Sequence, residues 1–187
     1  LTVARFYTPS GRCIQKPYGD DYAYDIYERY AHGELTDADS IKVNRDDVYY
    51  TVGGRAGYGG GGIIPDIFVP MDTTRASTFY IQCSKKATTM RFASAMFDKY
   101  RSELIQIDDF GQLERWLDAH HLDRQFLDYA AAKDGLKPGP GEWKESEEYM
   151  MVQIKALVGR YSKVGEEAFY RFYIGIDKTL QVALHGE

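Results

Sequence analysis

The hydrophobic pattern of the chain changes once. Up to residue 72, apolar and aromatic residues come in short extended runs, Leu1 to Thr8, Asp47 to Val52 and Ile63 to Val69. Most of the glycines and Pro9, Pro17, Pro65 and Pro70 lie in this part. Runs of this kind, rich in Val, Ile, Tyr, Phe and Thr and bounded by Gly and Pro, read as strands. One helix interrupts them. In "DDYAYDIYERYAHGEL", Tyr22, Ile26, Tyr27 and Tyr30 recur at helical spacing, and Gly33 offers a left-handed stop. From Thr73 onward the period is helical throughout. Phe92, Ala93, Met96, Phe97, Tyr100 and Leu104 form one stripe, and Leu113, Trp116 and Leu117 a second. Leu122, Phe126, Leu127 and Ala130 form the next, followed by Met150, Met151, Ile154, Leu157, Val158 and Tyr161. A last stripe runs through Phe169, Phe172, Tyr173, Ile176, Leu180, Ala183 and Leu184.

The breakers agree with this division. "DGLKPGPGEW", residues 134 to 143, joins two helices, because Pro cannot continue one. "VPMDTTRAS" ends a strand at Pro70 and offers Asp72, Thr73 or Thr74 as the N-cap of the next helix. The expected architecture is therefore α+β: a short β segment with a Tyr-rich insertion over 1–72, then a helical domain over 73–187. No repeat of solenoid length is visible.

Composition narrows the classes. With 187 residues, 44% hydrophobic and 27% charged, the chain is globular in type rather than disordered. Lys and Arg number 23 against 28 Asp and Glu, net −5, and the longest basic run is Lys85-Lys86, which argues against a nucleic-acid partner. No apolar run approaches the ~20 residues of a membrane helix. A secretory leader is not visible either. The chain opens on Leu1 inside an apparent strand, so this leaves the compartment open. Cys13 and Cys83 lack any CxxC spacing, which removes the common zinc and redox motifs and leaves two free thiols unless the fold brings them together. The 16 Tyr and 9 Phe suit exported or interface-rich proteins.

Each candidate for chemistry lacks a necessary part. "GYGGGG", 57 to 62, resembles a phosphate cradle, but an apolar run follows it where a helix N-terminus is required. "DADS", 37 to 40, begins like a calcium loop but has Lys42 and Val48 where Gly and Glu are needed. Adjacent His120 and His121 diverge by about 100° on a helix and cannot share a metal unaided. His32 and His185 have no ligand at useful spacing. Ser10 sits in "TPSGR", a Pro-Ser-Gly turn without a neighbouring base or a GxSxG elbow, and reads as a turn residue. Asp177, among apolar residues, reads as a capping or structural carboxylate rather than a catalytic one. No metal or cofactor is expected.

The opening stretch "LTVARFYTPSGRCIQ", taken with "GGIIPDIFVP" at 61 to 70, resembles the C-terminal processing peptidases, also called tail-specific proteases. In that family a strand ending TPSGR-x-IQ precedes a Gly-Ile-x-Pro-Asp strand start. Thr8, Pro9, Ser10, Gly11, Arg12, Ile14 and Gln15 match the first motif, and Gly62, Ile63, Pro65 and Asp66 the second. The residues between them, with the helix and the strand "VYYTVGGR", form an insertion. Together with the helical tail it looks like an envelope-associated bacterial branch of the family. The resemblance implies an α/β serine peptidase that cuts near protein C-termini with a Ser-Lys dyad, placed in the periplasm or exported. In the family the Ser and the Lys precede the TPSGR strand, so neither Ser10 nor Lys16 inherits a catalytic role. The chain is accordingly expected to be a C-terminal fragment, silent alone. It would complete the core sheet, while its helices pack on the core, form oligomers or gate access to protein or peptide substrates. The alternative is a non-enzymatic module whose exposed tyrosines bind an envelope partner. Strand Leu1 to Thr8, deprived of neighbours, is expected to pair with the insertion strands, to pair with another copy, or to be disordered.

Overall fold

In the computed structural model the chain divides into two compact units, residues 1–72 and 73–187. The division falls where the hydrophobic period changes. Residues 4–16, 18–19, 22–60 and 62–185 are described. A short β segment is followed by a helical domain, as the α+β pattern requires.

The first unit is built on two hairpins. Tyr7 bridges to Cys13 in antiparallel fashion. The Thr8 N–H donates to the Arg12 carbonyl at 2.9 Å and the Ile14 N–H to the Phe6 carbonyl at 3.4 Å. The turn between them uses Gly11 at φ +84°, a conformation that costs an L-residue Cβ but not glycine. The strand expected over Leu1 to Thr8 is thereby reduced. Leu1 to Val3 lie outside the described residues, Ala4 to Phe6 are exposed with Phe6 contributing only its carbonyl to Ile14, and the bridge itself is at Tyr7. Among the described residues its partner within the chain is the segment just after the turn rather than the insertion strands, because closing a short loop costs less entropy than closing a long one.

The second hairpin pairs β1 (Val48–Tyr50) with β2 (Ala56–Tyr58), Tyr49 lying opposite Gly57. The run Asp47 to Val52, expected as one strand, stops at Tyr50 because Thr51 opens the turn: its carbonyl accepts from Gly54 N–H and Arg55 N–H bonds its hydroxyl. The strand expected at Ile63 to Val69 is not formed. Pro65 removes an amide, no strand among the described residues runs beside it, and Ile63 and Ile67 are exposed. Helix α1 (Asp25–Ala31) is shorter than the Tyr22 to Tyr30 stripe, and Gly33 follows it at φ +81°.

The second unit consists of α2 (Thr78–Lys85), α3 (Thr88–Leu104), α4 (Phe110–Ala119), α5 (Leu122–Asp134), α6 (Glu142–Gly159), α7 (Glu166–Ile174) and α8 (Lys178–His185). Helix α6 is its centre and packs against α2, α3, α5 and α7. Ser146, Met150, Ile154 and Val158, spaced by four, form one buried face of α6, as a single helix stripe must. The aromatic core is Phe79, Phe92 and Phe126, with Trp143 against it in edge-on and stacked contacts of 5.3 to 6.3 Å. At Gly159, a Cβ would stand 3.0 Å from Leu113 Cδ2 and 3.2 Å from Ala168 Cβ, so only glycine lets α7 approach this closely.

Three helix ends differ from expectation. The N-cap of the first helix of this unit is Ser77, whose hydroxyl accepts from Tyr80 N–H, and not Asp72, Thr73 or Thr74. Ser77 prevails because Ser146 Oγ donates to it at 2.6 Å and itself accepts from Ser77 N–H, a buried pairing that no local rule foresees. An elbow at Ala87, φ +52°, separates α2 from α3. Asp134 at the end of α5 holds it, bonding Arg91 with both carboxylate oxygens and accepting from Thr88 Oγ1 at 2.6 Å. The last stripe is two helices rather than one. Asp177 caps α8 by accepting from Leu180 N–H, and nothing on α8 is buried among the described residues.

Candidate functional site

The two motifs that carry the family resemblance meet in the first unit. Ile14 of TPSGR-x-IQ accepts a backbone hydrogen bond from Gly62 N–H, the first residue of the second motif, at 2.8 Å. Both motifs also grip the β1–β2 hairpin. Arg12 reaches the Tyr58 carbonyl through Nη1 at 3.2 Å, and Asp66 is ion-paired with Arg55 at the end of the hairpin turn. This bond to Arg55 holds the Asp66 carboxyl below its ordinary value. A Cβ at Gly57 would stand 3.2 Å from Arg12 Nη1, so a bare backbone is what lets the guanidinium lie across β2.

The turn is self-contained. Thr8 Oγ1 and Ser10 Oγ share a hydrogen bond of 2.9 Å, and Arg12 N–H donates to Thr8 Oγ1 at 3.2 Å. Pro9 starts the turn and Gly11 closes it, with Gly11 N–H bonded to the Thr8 carbonyl at 2.8 Å. Gln15 donates to the Tyr18 hydroxyl at 2.6 Å. Pro65 follows exposed Ile63 in an unpaired segment.

Between this turn and the second hairpin lies an open groove of about 380 Å³, lined in part by Ser10, Arg12, Tyr49, Thr51 and Gly57. A hydrogen bond to Asp47 and the negative charge of that carboxylate raise the Tyr49 phenol above its ordinary value. The groove offers hydroxyls and a cation. A guanidinium is no general base, and Ser10 has a hydroxyl rather than a base as its bonded neighbour, so this constellation can hold a ligand but cannot activate a nucleophile. Lys16 is ion-paired with Asp25.

Other candidates resolve into structural roles. Asp37 accepts from Asp39 N–H at 3.0 Å and caps the short 3₁₀ turn Ala38–Ser40, which accounts for the alternating carboxylates. His120 ends α4, with its ring stacked on Trp116 at 3.8 Å and its Nδ1 bonded to the Trp116 carbonyl. His121 takes φ +44° between α4 and α5. His32 and His185 are exposed at helix ends. Among the described residues no three His, Cys, Asp or Glu stand close enough to hold a metal. Cys13 and Cys83 are both free thiols. Burial pushes the Cys83 thiol up to about 11.

Reading by motif overlooked Arg55, Gly57 and Tyr58, the insertion residues that both motifs hold. The only signal for them was the small pair Ala56-Gly57 facing large Tyr49 and Tyr50, which marks a place where something crosses the strand. Comparison with protein-family models, with curated proteins and with solved structures gives no match to this chain.

Proposed function

We propose that this chain is the C-terminal part of a C-terminal processing serine peptidase of the bacterial cell envelope. Residues 1–72 contribute the TPSGR and GIIPD segments to its core sheet, and the helical unit packs, assembles or gates. The observation that supports this reading is the ordered pair of motifs, joined here by the Gly62 N–H to Ile14 carbonyl bond. Two segments separated by a long insertion yet bonded at their motif residues act as one structural piece. In the proposed enzyme the Ser nucleophile and Lys base come from sequence preceding TPSGR. A lysine serves as base when desolvation lowers its pKa. The groove beside Ser10 is not the catalytic centre.

The test is the longer reading frame. Its product should carry a Ser and a Lys upstream, cleave an unstructured protein from its C-terminal end, and lose that activity when either residue is replaced by Ala. The 187-residue chain should be inactive in the same assay. A longer product lacking the pair, or one that carries it and cleaves nothing, would end the proposal.

A non-enzymatic binding role is favoured by a separate observation: Tyr24, Tyr27, Tyr30 and Tyr50 are all more than half exposed. Tyrosines in such number on one small unit are the composition of a contact surface.

A further inference from the structure

A cation without a counterion lies in the first unit. Three arginines of the chain are half-buried, Arg12, Arg29 and Arg75. Arg29 is paired with Glu34 and Arg75 with Glu148, as the cost of partly desolvating a charge requires. Arg12 has no carboxylate partner among the described residues. Its Nη1 donates to the Tyr58 carbonyl at 3.2 Å, and that neutral oxygen answers a hydrogen bond without answering the charge. Other N–H groups of the guanidinium fork stay unused. Asp47 bonds the Tyr49 phenol instead.

This guanidinium lines the open groove of about 380 Å³ between the TPSGR turn and the β1–β2 hairpin. A space of that size exceeds a bare ion and fits a small organic molecule. The turn adds a second donor. With Thr8 Oγ1 donating to Ser10 Oγ at 2.9 Å, the Ser10 proton is left for a ligand. Pro9 and the Tyr49 ring give the groove apolar walls. We propose that the groove binds a small organic anion, a carboxylate or phosphate group on an apolar body. The anion sits on Arg12 and Ser10, and the body lies against Pro9 and Tyr49. A guanidinium fork matches the paired oxygens of either group, and such charge-assisted bonds are about twice as strong as neutral ones. The inference stands apart from the peptidase reading, which gives this groove no role, so either fails without the other.

The test is an amide-resolved NMR titration of the 187-residue chain with phenyl phosphate, with benzoate and with uncharged benzamide. The backbone amide signals of Ser10, Gly11, Arg12 and Gly53 should shift and saturate with at least one anion. Benzamide should bind at least about tenfold more weakly. The better of the two anions names the group that the groove takes. Arg12→Gln keeps a donor for the Tyr58 carbonyl and removes the charge, and should weaken the anion about tenfold with the spectrum still dispersed. Ser10→Ala should weaken it about threefold and decides the matter if Arg12→Gln does not fold. Arg115→Gln, exposed on α4 in the other unit, should change nothing. No saturating shift with either anion, equal binding of benzamide, or an unchanged affinity in folded Arg12→Gln or in Ser10→Ala would overturn the proposal. So would shifts confined to the helical unit, because the anion would then sit elsewhere.

Discussion

The two units of this chain are stabilised in opposite ways. In the second, α6 places a full face of Met150, Ile154 and Val158 among α2, α3, α5 and α7, and every buried apolar residue among those described lies in this unit. In the first, the described residues include one buried side chain, Glu34, while Phe6, Tyr7, Ile63 and Ile67 face solvent. That unit is held by backbone bonds across turns, by Arg12 on the Tyr58 carbonyl, and by the pairs Lys16–Asp25, Arg29–Glu34 and Arg55–Asp66. Exposed ion pairs contribute little, typically below ~1 kcal/mol each. The lesson is that only the helical unit carries its own hydrophobic driving force. The described residues of the first unit include no buried apolar side chain, so turns, backbone bonds and ion pairs must hold it instead.

The contrast can be broken at its strongest point first. Phe126→Ala removes a fully buried ring that touches Phe79, Phe92 and Trp143 and should cost the helical unit about 3–5 kcal/mol, read by thermal or denaturant unfolding. An unchanged midpoint would mean that the core is not where the structure places it. Gly159→Val should follow at about 1–3 kcal/mol through collision with Leu113 and Ala168. Ala87→Gly should act the other way, stabilising the elbow by about 1 kcal/mol, because glycine takes φ +52° without a Cβ clash. Arg12→Ala should cost the first unit only about 1 kcal/mol, the value of one hydrogen bond, and leave the helical melting transition where it was.

Acid should separate the units further. The bond to Arg91, then the one to Thr88, lowers the folded Asp134 pKa beneath that of the unfolded chain. Its stabilisation is therefore fully present above ~4 and is lost as pH falls through the lowered folded value. Asp134→Asn should lower the melting temperature of the helical unit at neutral pH and erase the part of the acid dependence that Asp134 supplies. A variant with an unaltered acid limb would show that the elbow does not need the carboxylate. The smallest effect is a rate: the thiol of Cys83, buried and raised to about 11, should resist alkylation at pH 8 until the helices unfold. Half-exposed Cys13 should label in the native protein. Equal labelling of both would remove the distinction between the units.

Much of the helical unit was legible because its determinants are local and periodic. The stripes through Phe92 to Leu104, Leu122 to Ala130 and Met150 to Val158 each produced a helix, and Pro138 and Pro140 kept α5 and α6 apart. The turn at Pro9, Ser10 and Gly11 and the positive φ of Gly33 were equally local. The failures share one cause. Ser77 displaced the nearer candidate caps because of Ser146, sixty-nine positions away. The run Ile63 to Val69 has strand composition, but a strand exists only with a neighbour, and composition does not provide one. The candidate site followed the same rule: the motifs were visible as words, while the insertion hairpin that both hold was not.

By itself the sequence determined where the chain divides, which stretches are helical, and which residues turn it, because periodicity, proline and glycine act on the nearest few residues. Only the tertiary structure decided what each surface meets. It joined Ile14 to Gly62, laid Arg12 across Gly57, and turned the tyrosines of α1 outward. Those outcomes depend on contacts between residues far apart in the chain, whose energies no local pattern encodes.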